Sequence, residues 1–226
     1  MLTLDDIHST AHAVVSILRA SDMVACLVGS AAGAEHGISR IPNDVDILVL
    51  SGAKSMNPAE MKNLLVSKDS RFFLEKPVTN PNASYFILKY RLISSQNNSC
   101  CHVDIFLPGM IHLPPIPPSY IIYSAQTALP TMPFFPTLLH KVQAWLAHRA
   151  SPKESARIKR SNDEQDISEL LDFAVKIHKV KIENHTWLPD WFLQEAIEGV
   201  RAYVQEHPET APMWKEIGFC ANNKVI

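Results

Sequence analysis

Three aspartates stand where chemistry is most easily done. Asp44 and Asp46 open the apolar run DVDILVL (residues 44–50), and Asp104 lies inside a second run, HVDIFL (residues 102–107). Side chains alternate along a strand, so Asp44 and Asp46 share one face while Val45, Ile47 and Val49 take the other. In the second run Asp104 shares its face with His102 and Phe106, opposite Val103, Ile105 and Leu107. If the two strands are neighbours, the three carboxylates converge. Unpaired carboxylates in a half-buried site repel one another at a cost of several kcal/mol. A hard divalent cation removes that cost, and an all-oxygen donor set suits Mg²⁺, commonly shared with substrate phosphates. Taken singly, each Asp also reads as an ordinary turn or cap residue. The paired spacing, and for Asp104 the apolar neighbours on both sides, count against that reading.

The second element is Gly29-Ser30, thirteen residues (31–43) ahead of Asp44. A small-residue turn entering a helix exposes backbone N–H groups and a hydroxyl, which together can hold an anion. Alone it is equally a tight turn; its place beside the Asp pair gives it meaning.

The elements that must position these residues follow from pattern. Residues 4–20 place Ile7, Ala11, Val14, Val15 and Leu18 on one helical face, with Thr3 and Asp6 as a capping box. Val24–Val28 is a short buried strand, and a small Ala-rich helix runs from Gly29 to about His36, ended by Gly37. Val45–Leu50 is a second strand. Asn57-Pro58 caps a helix reaching about Lys68. Residues 69–83 read as loop. Tyr85–Ile93 and His102–Leu107 read as strands joined by a hairpin turn over Gln96–Ser99. Residues 108–118, PGMIHLPPIPP, hold five prolines and exclude helix or central strand; PTMPFFP (130–136) repeats the theme. Beyond Thr137 the pattern is helical over 137–149, 161–178 and 190–207, with Ser161/Glu164 as a capping box and Asp190 as a cap. The fold class is therefore α/β (α+β), a mixed sheet flanked by helices followed by a helical C-terminal half. A boundary falls within about 110–135, giving an α/β domain over 1–115 and a helical domain over 116–226.

The 226 residues, 46% hydrophobic, suffice for a sizeable core. A net charge of −2 and a pI of about 6.5 exclude a chain that binds nucleic acid by bulk charge alone. Cys26, Cys100, Cys101 and Cys220 include no CxxC spacing and read as reduced thiols, which points to an intracellular, cytoplasmic protein. The polar start MLTLDDIHST is no signal peptide, and no apolar run approaches the roughly 20 residues needed to span a bilayer. His12, His140, His148 and His178 read as surface or half-buried helix residues. His102 could support Asp104. Arg157-Ile158-Lys159-Arg160 reads as a solvated loop before a helix, or as a contact for a phosphate-bearing acceptor. Trp187, Trp191 and Trp214 are expected to pack the terminal helices.

The stretch LVGSAAGAEHGISRIPNDVDILVL (27–50) resembles the signature of the DNA polymerase β-like nucleotidyltransferase superfamily, in particular its minimal AbiEii-type and MNT-like members. There a His-Gly…Arg…Asp-x-Asp segment recurs, and here it reads His36-Gly37, Arg40, Asp44-Val45-Asp46. Val103-Asp104-Ile105 is similar to the superfamily's third carboxylate. A looser similarity covers 137–173: Leu139, Lys141 and Ala144, then Arg149, Lys153, Asp163 and Asp166-Ile167. The likeness spans roughly residues 20–175; the last 50 residues are unmatched. Ser30 replaces the motif's second glycine, and Pro42 stiffens the approach to Asp44.

The resemblance implies a two-Mg²⁺ mechanism (Mn²⁺ as a substitute) on a nucleoside triphosphate such as ATP. Asp44 and Asp46 would bridge both ions, and Asp104 would hold the acceptor-side ion and help deprotonate the acceptor. Gly29 and Ser30 would cradle the β- and γ-phosphates. Lys141 would offer charge to the triphosphate, or else lie on a solvated helix face; Arg40 would contact phosphate or pair with Asp46. The acceptor would be an RNA end, a protein hydroxyl or a small molecule, with no membrane involved. The rivals are an inactive nucleotide-binding protein of the same fold and an intracellular interaction protein. Oligomeric state is open.

Overall fold

Two apolar faces organise the chain, one on a sheet and one among helices. The computed structural model describes residues 2–52, 56–78, 80, 82–92 and 99–219. Helix α1 (Leu4–Ala20) is capped by Thr3, whose hydroxyl accepts from Asp6 N at 3.2 Å while Thr3 N donates to Asp6 Oδ2 at 2.9 Å. The chain then forms β1 (Met23–Val28), α2 (Gly29–Glu35), β2 (Asp44–Gly52), α3 (Pro58–Lys68), β3 (Phe72–Glu75), β4 (Ile87–Arg91) and β5 (Cys100–Phe106). Asn57 caps α3 as its Asn-Pro start requires, accepting from Ala59 N and Glu60 N. After the proline-rich stretch come β6 (Ile122–Tyr123) and β7 (Pro130–Thr131), then helices α4 (Phe134–Ala150), α5 (Glu154–Lys176), α6 (Asp190–Glu206) and α7 (Ala211–Glu216).

The seven strands form one mixed sheet in the order β3-β4-β5-β2-β1-β7-β6. β1 runs antiparallel to β2, and β2 runs parallel to β5. Helices α1 and α3 cover one face, packing Ile7, Val14, Leu18 and Leu65 onto Val45, Ile47, Leu88 and Val103. On the other face Cys26, Val28 and Leu48 meet Leu113, Ile116 and Met132 from the proline-rich strap. The helical half buries its own core around Leu139, Trp145, Leu170, Phe192 and Trp214, joined by Ile38 from the loop before β2.

Several expectations change. Residues 69–83 are not all loop: β3 lies within them, a four-residue edge strand too short to show a period. The sheet continues beyond residue 115 through β7, which pairs with β1 at Leu27↔Thr131. The strap contains short 3₁₀ turns at Met110–His112 and Pro118–Tyr120. Helix α4 starts at Phe134, three residues early, because Pro136 sits in the first turn, where its missing N–H bonds nothing anyway. Helix α5 starts at Glu154, so Ser161 is interior and caps nothing, and the 157–160 basic cluster is helical rather than loop. Pro189, not Asp190, precedes the first turn of α6. The hairpin turn expected over Gln96–Ser99 falls, apart from Ser99, outside the described residues, as does Cys220. Cys26, Cys100 and Cys101 are free thiols. Among the described residues no helix is long and apolar enough to cross a membrane.

Candidate active site

Strand β1 delivers the Gly-Ser turn directly onto the carboxylates. Its last residue, Val28, lies opposite Asp46. Gly29 follows with φ +60°, a left-handed backbone that L side chains resist, and a Cβ there would collide with Asp46 Oδ2. Only glycine lets the turn approach this closely. The Gly-Ser turn and the Asp46 carboxylate are therefore immediate neighbours.

The register of β2 and β5 brings the third carboxylate alongside. Asp46 pairs with Asp104, and Asp44 with His102, so all three Asp share one sheet face. With strands about 4.8 Å apart and about 3.3 Å of rise per residue, the Asp44 and Asp104 Cα atoms are roughly 8 Å apart. Burial, then the Asp104 charge, pushes the Asp44 carboxyl above the usual carboxylate range. Burial, then Asp44 and Asp104, pushes Asp46 well above it. Lys159 and Lys141 offset part of both effects. The Asp104 side chain is half exposed, with Lys62 Nζ 4.0 Å from its Oδ1. Among the described residues no three His, Cys, Asp or Glu side chains are closed up at metal-ligand spacing. The donor set nonetheless fits a hard divalent cation by its chemistry: oxygen only, self-repelling, and partly shielded from water.

On the far side of Ser30 lies a second ionic group. Asp166, with no exposed surface, accepts from Arg40 Nε and Nη2 at 2.6 Å each and from Lys141 Nζ at 2.8 Å. Lys141 also donates to Ser30 Oγ at 2.8 Å and lies 3.5 Å from Asp163 Oδ1; Arg40 Nη2 also donates to Ser30 Oγ. His148 Nδ1 meets Asp163 Oδ2 at 2.6 Å. Burial acts against the Arg40 charge, and the Asp166 hydrogen bonds together with the charges of Asp166, Asp163 and Asp44 more than offset it, raising its pKa. One turn further along α5, Glu169 takes the backbone N–H and hydroxyl of Ser39 at 2.6 Å each. Helix α5 thus fixes the loop that enters β2.

The structure sets Gly29 against Asp46, places Asp44, Asp46 and Asp104 on one sheet face, and joins Ser30 to Arg40 and Lys141. Two expected partnerships change. Arg40 pairs with Asp166 rather than Asp46, because the loop before β2 turns toward α5. Lys141 is not on a solvated face; it is 5% exposed, drawn inward by Asp166. His140 is also buried, its Nε2–H donating to Ile111 O at 3.0 Å, and burial pushes it down to about 4. His36 likewise is pushed down to about 4, chiefly by burial, and its Nε2–H donates to Met132 O at 2.8 Å, locking α2 to the strap. His102 is exposed on the Asp104 face. Trp214 is buried as expected, Trp187 stacks on Tyr120, and Trp191 is 41% exposed. The sequence assigns no role to Asp163, Asp166 or Lys62, and reads Lys159 only as part of a solvated loop or a contact for a phosphate-bearing acceptor. The signal for the first two was present: both fall on the same helical face as apolar Ile167 and Leu170, a place for carboxylates only when cations meet them.

No family model and no curated protein matches the chain. Its fold is shared with the crystal structure of an antigenic nucleotidyltransferase-like protein from Paracoccidioides brasiliensis, with a TM-score of 0.68 and 14% identity over 97% of each chain.

Proposed function

We propose that the protein is a divalent-cation-dependent nucleotidyltransferase of the minimal DNA polymerase β-like kind. The observation that carries this reading is the collision a Gly29 Cβ would make with Asp46: the Gly-Ser turn lies directly against the carboxylates. The fold shared with a nucleotidyltransferase-like protein agrees with it. Asp44, Asp46 and Asp104 would hold Mg²⁺ or Mn²⁺. When bound, the cation would neutralise the triphosphate and lower the pKa of the acceptor hydroxyl.

The chain's own residues do the rest. Gly29 leaves backbone space against the β- and γ-phosphates. Ser30 accepts hydrogen bonds from Lys141 and Arg40, which leaves its hydrogen free to donate to a phosphate oxygen. Asp104, half exposed at the open end of the row, takes the acceptor proton. An acceptor oxygen then bonds to the α-phosphorus, the bond from that phosphorus to the β-bridging oxygen breaks, and pyrophosphate departs. The acceptor is a hydroxyl or phosphate oxygen of an RNA end, a protein or a small molecule.

The test is label transfer or pyrophosphate release with Mg²⁺, each labelled nucleoside triphosphate and a mixed acceptor extract. Wild type is expected to turn over and Asp44→Ala/Asp46→Ala to lose that activity. Triphosphate binding without turnover across a broad acceptor panel would instead favour an inactive nucleotide-binding protein.

A further inference from the structure

Opposite charges around Ser30 are already matched. Arg40 and Lys141 lie against Asp166, and Lys141 and His148 against Asp163. A polyanion that pulled Arg40 or Lys141 toward itself would strip Asp166, wholly buried, of its counter-charges. These two cations can shape the turn, but the charge that answers a triphosphate has to come from elsewhere.

Helix α5 supplies a candidate on the face already turned to the site. Lys159, Asp163 and Asp166 are spaced i, i+4, i+7, so they share one stripe. Lys159 lies one turn, about 6 Å along the axis, beyond Asp163. It is exposed, and among the described residues no carboxylate lies within 4.0 Å of it. Its neighbour Arg160 points elsewhere, to Glu164 and Glu206. Asp163, one turn along that stripe, lies 3.5 Å from Lys141, whose Nζ donates to Ser30 Oγ at 2.8 Å, so the stripe leads to the Gly-Ser turn. A compact ammonium on a flexible four-carbon stem suits a polyanion that must enter and leave.

We propose that Lys159 is the side chain that contacts the phosphates of the nucleoside triphosphate, while Asp166 and Asp163 keep Arg40 and Lys141 as a charge-balanced frame. This rests on the nucleotidyltransferase reading above. It assigns to the α5 cation the contact that sequence resemblance implied for Lys141.

The test is calorimetric titration of each nucleoside triphosphate, and separately of inorganic tripolyphosphate, with Mg²⁺ into the full chain. Wild type is expected to bind at least one triphosphate. Lys159→Gln should weaken that binding about tenfold, the size of a lost charge-assisted contact, with an unchanged melting temperature because the residue is exposed. Lys159→Arg should stay within about twofold, since charge is kept, and the exposed Lys68→Gln should bind as wild type. Nucleotide binding that Lys159→Gln leaves intact overturns the Lys159 assignment and leaves the enzyme reading standing. Tripolyphosphate binding that depends on Lys159, with no nucleoside triphosphate bound, keeps the anion site and removes the nucleotidyltransferase reading. Binding of neither removes both.

Discussion

Two acidic groups flank Ser30, and they are in opposite electrostatic states. Asp163 and Asp166 on α5 are matched by Lys141, Arg40 and His148 at 2.6–3.5 Å. Among the described residues, Asp44, Asp46 and Asp104 on the sheet are nearly unmatched, with Lys62 Nζ 4.0 Å from Asp104, and burial and mutual repulsion raise the pKa of the first two. The first group is a finished structural joint that ties the helical half to the loop entering β2. The second is an unfinished one that a cation would complete. Burial alone does not mark a functional carboxylate, because Asp166 is as buried as any. What separates the two groups is whether the fold supplies the counter-charge.

The sharpest way to break this contrast is at Asp166. Asp166→Ala leaves Arg40 and Lys141 buried without their partner, and about 3–5 kcal/mol of stability is expected to go. Denaturant unfolding measures it. A loss under 1 kcal/mol would mean that the joint is not structural.

Gly29→Ala comes next. It forces a side chain into left-handed backbone and into the Asp46 carboxylate. About 1–3 kcal/mol is expected to be lost from the backbone strain alone, and any turnover should fall as Asp46 is displaced. Unfolding and activity measured on one preparation decide it. Intact activity would mean that the turn does not line the working cavity.

The Asp pair should behave in the opposite sense to Asp166. Asp46→Asn removes a self-repelling charge, so without divalent cation it should stabilise the protein by about 0.5–2 kcal/mol. The pH dependence fixes the sign. A folded-state pKa above the unfolded value means the native state binds more protons in between. Wild-type stability from this group therefore falls as pH rises from the ordinary Asp range to the raised value. The gap between Asp46→Asn and wild type should widen over that same window and then level off. Melting temperatures across pH 3.5–8 in chelator give the answer, and a gap that narrows with rising pH contradicts it.

The sequence carried much of this contrast but not its cause. Asp44, Asp46 and Asp104 could be placed on one face because strand alternation is local and each run is strongly apolar on its other face. Gly29 was legible for the same kind of reason, a turn at the end of a clear strand. For Asp166 the apolar helix face is legible but the partners are not, because Arg40 and Lys141 lie 126 and 25 residues away in sequence and meet it only in the packed fold. The edge strand Phe72–Glu75 was lost because four residues cannot display a period. The start of α5 was missed because its first two turns are mostly exposed and polar, which leaves no apolar stripe to read.

The smallest effect is expected at Lys62, where the two kinds of group meet. Its ammonium lies beside Asp104, yet the Asp104 side chain is 49% exposed and the separation is 4.0 Å. A water-screened pair of that kind contributes little, so Lys62→Gln should move stability by no more than about 0.5 kcal/mol. Its effect on cation binding should be clearer. Lys62 competes for the oxygens a divalent cation would use, and removing it takes a positive charge from beside that cation. The Mg²⁺ concentration that gives half the thermal stabilisation should therefore fall, by about twofold, in Lys62→Gln. The same titration in Asp46→Asn should show little Mg²⁺ response. If Lys62→Gln needs more Mg²⁺ than wild type, Lys62 supports the cation site rather than guarding it. Asp104 would then belong with the matched carboxylates of α5.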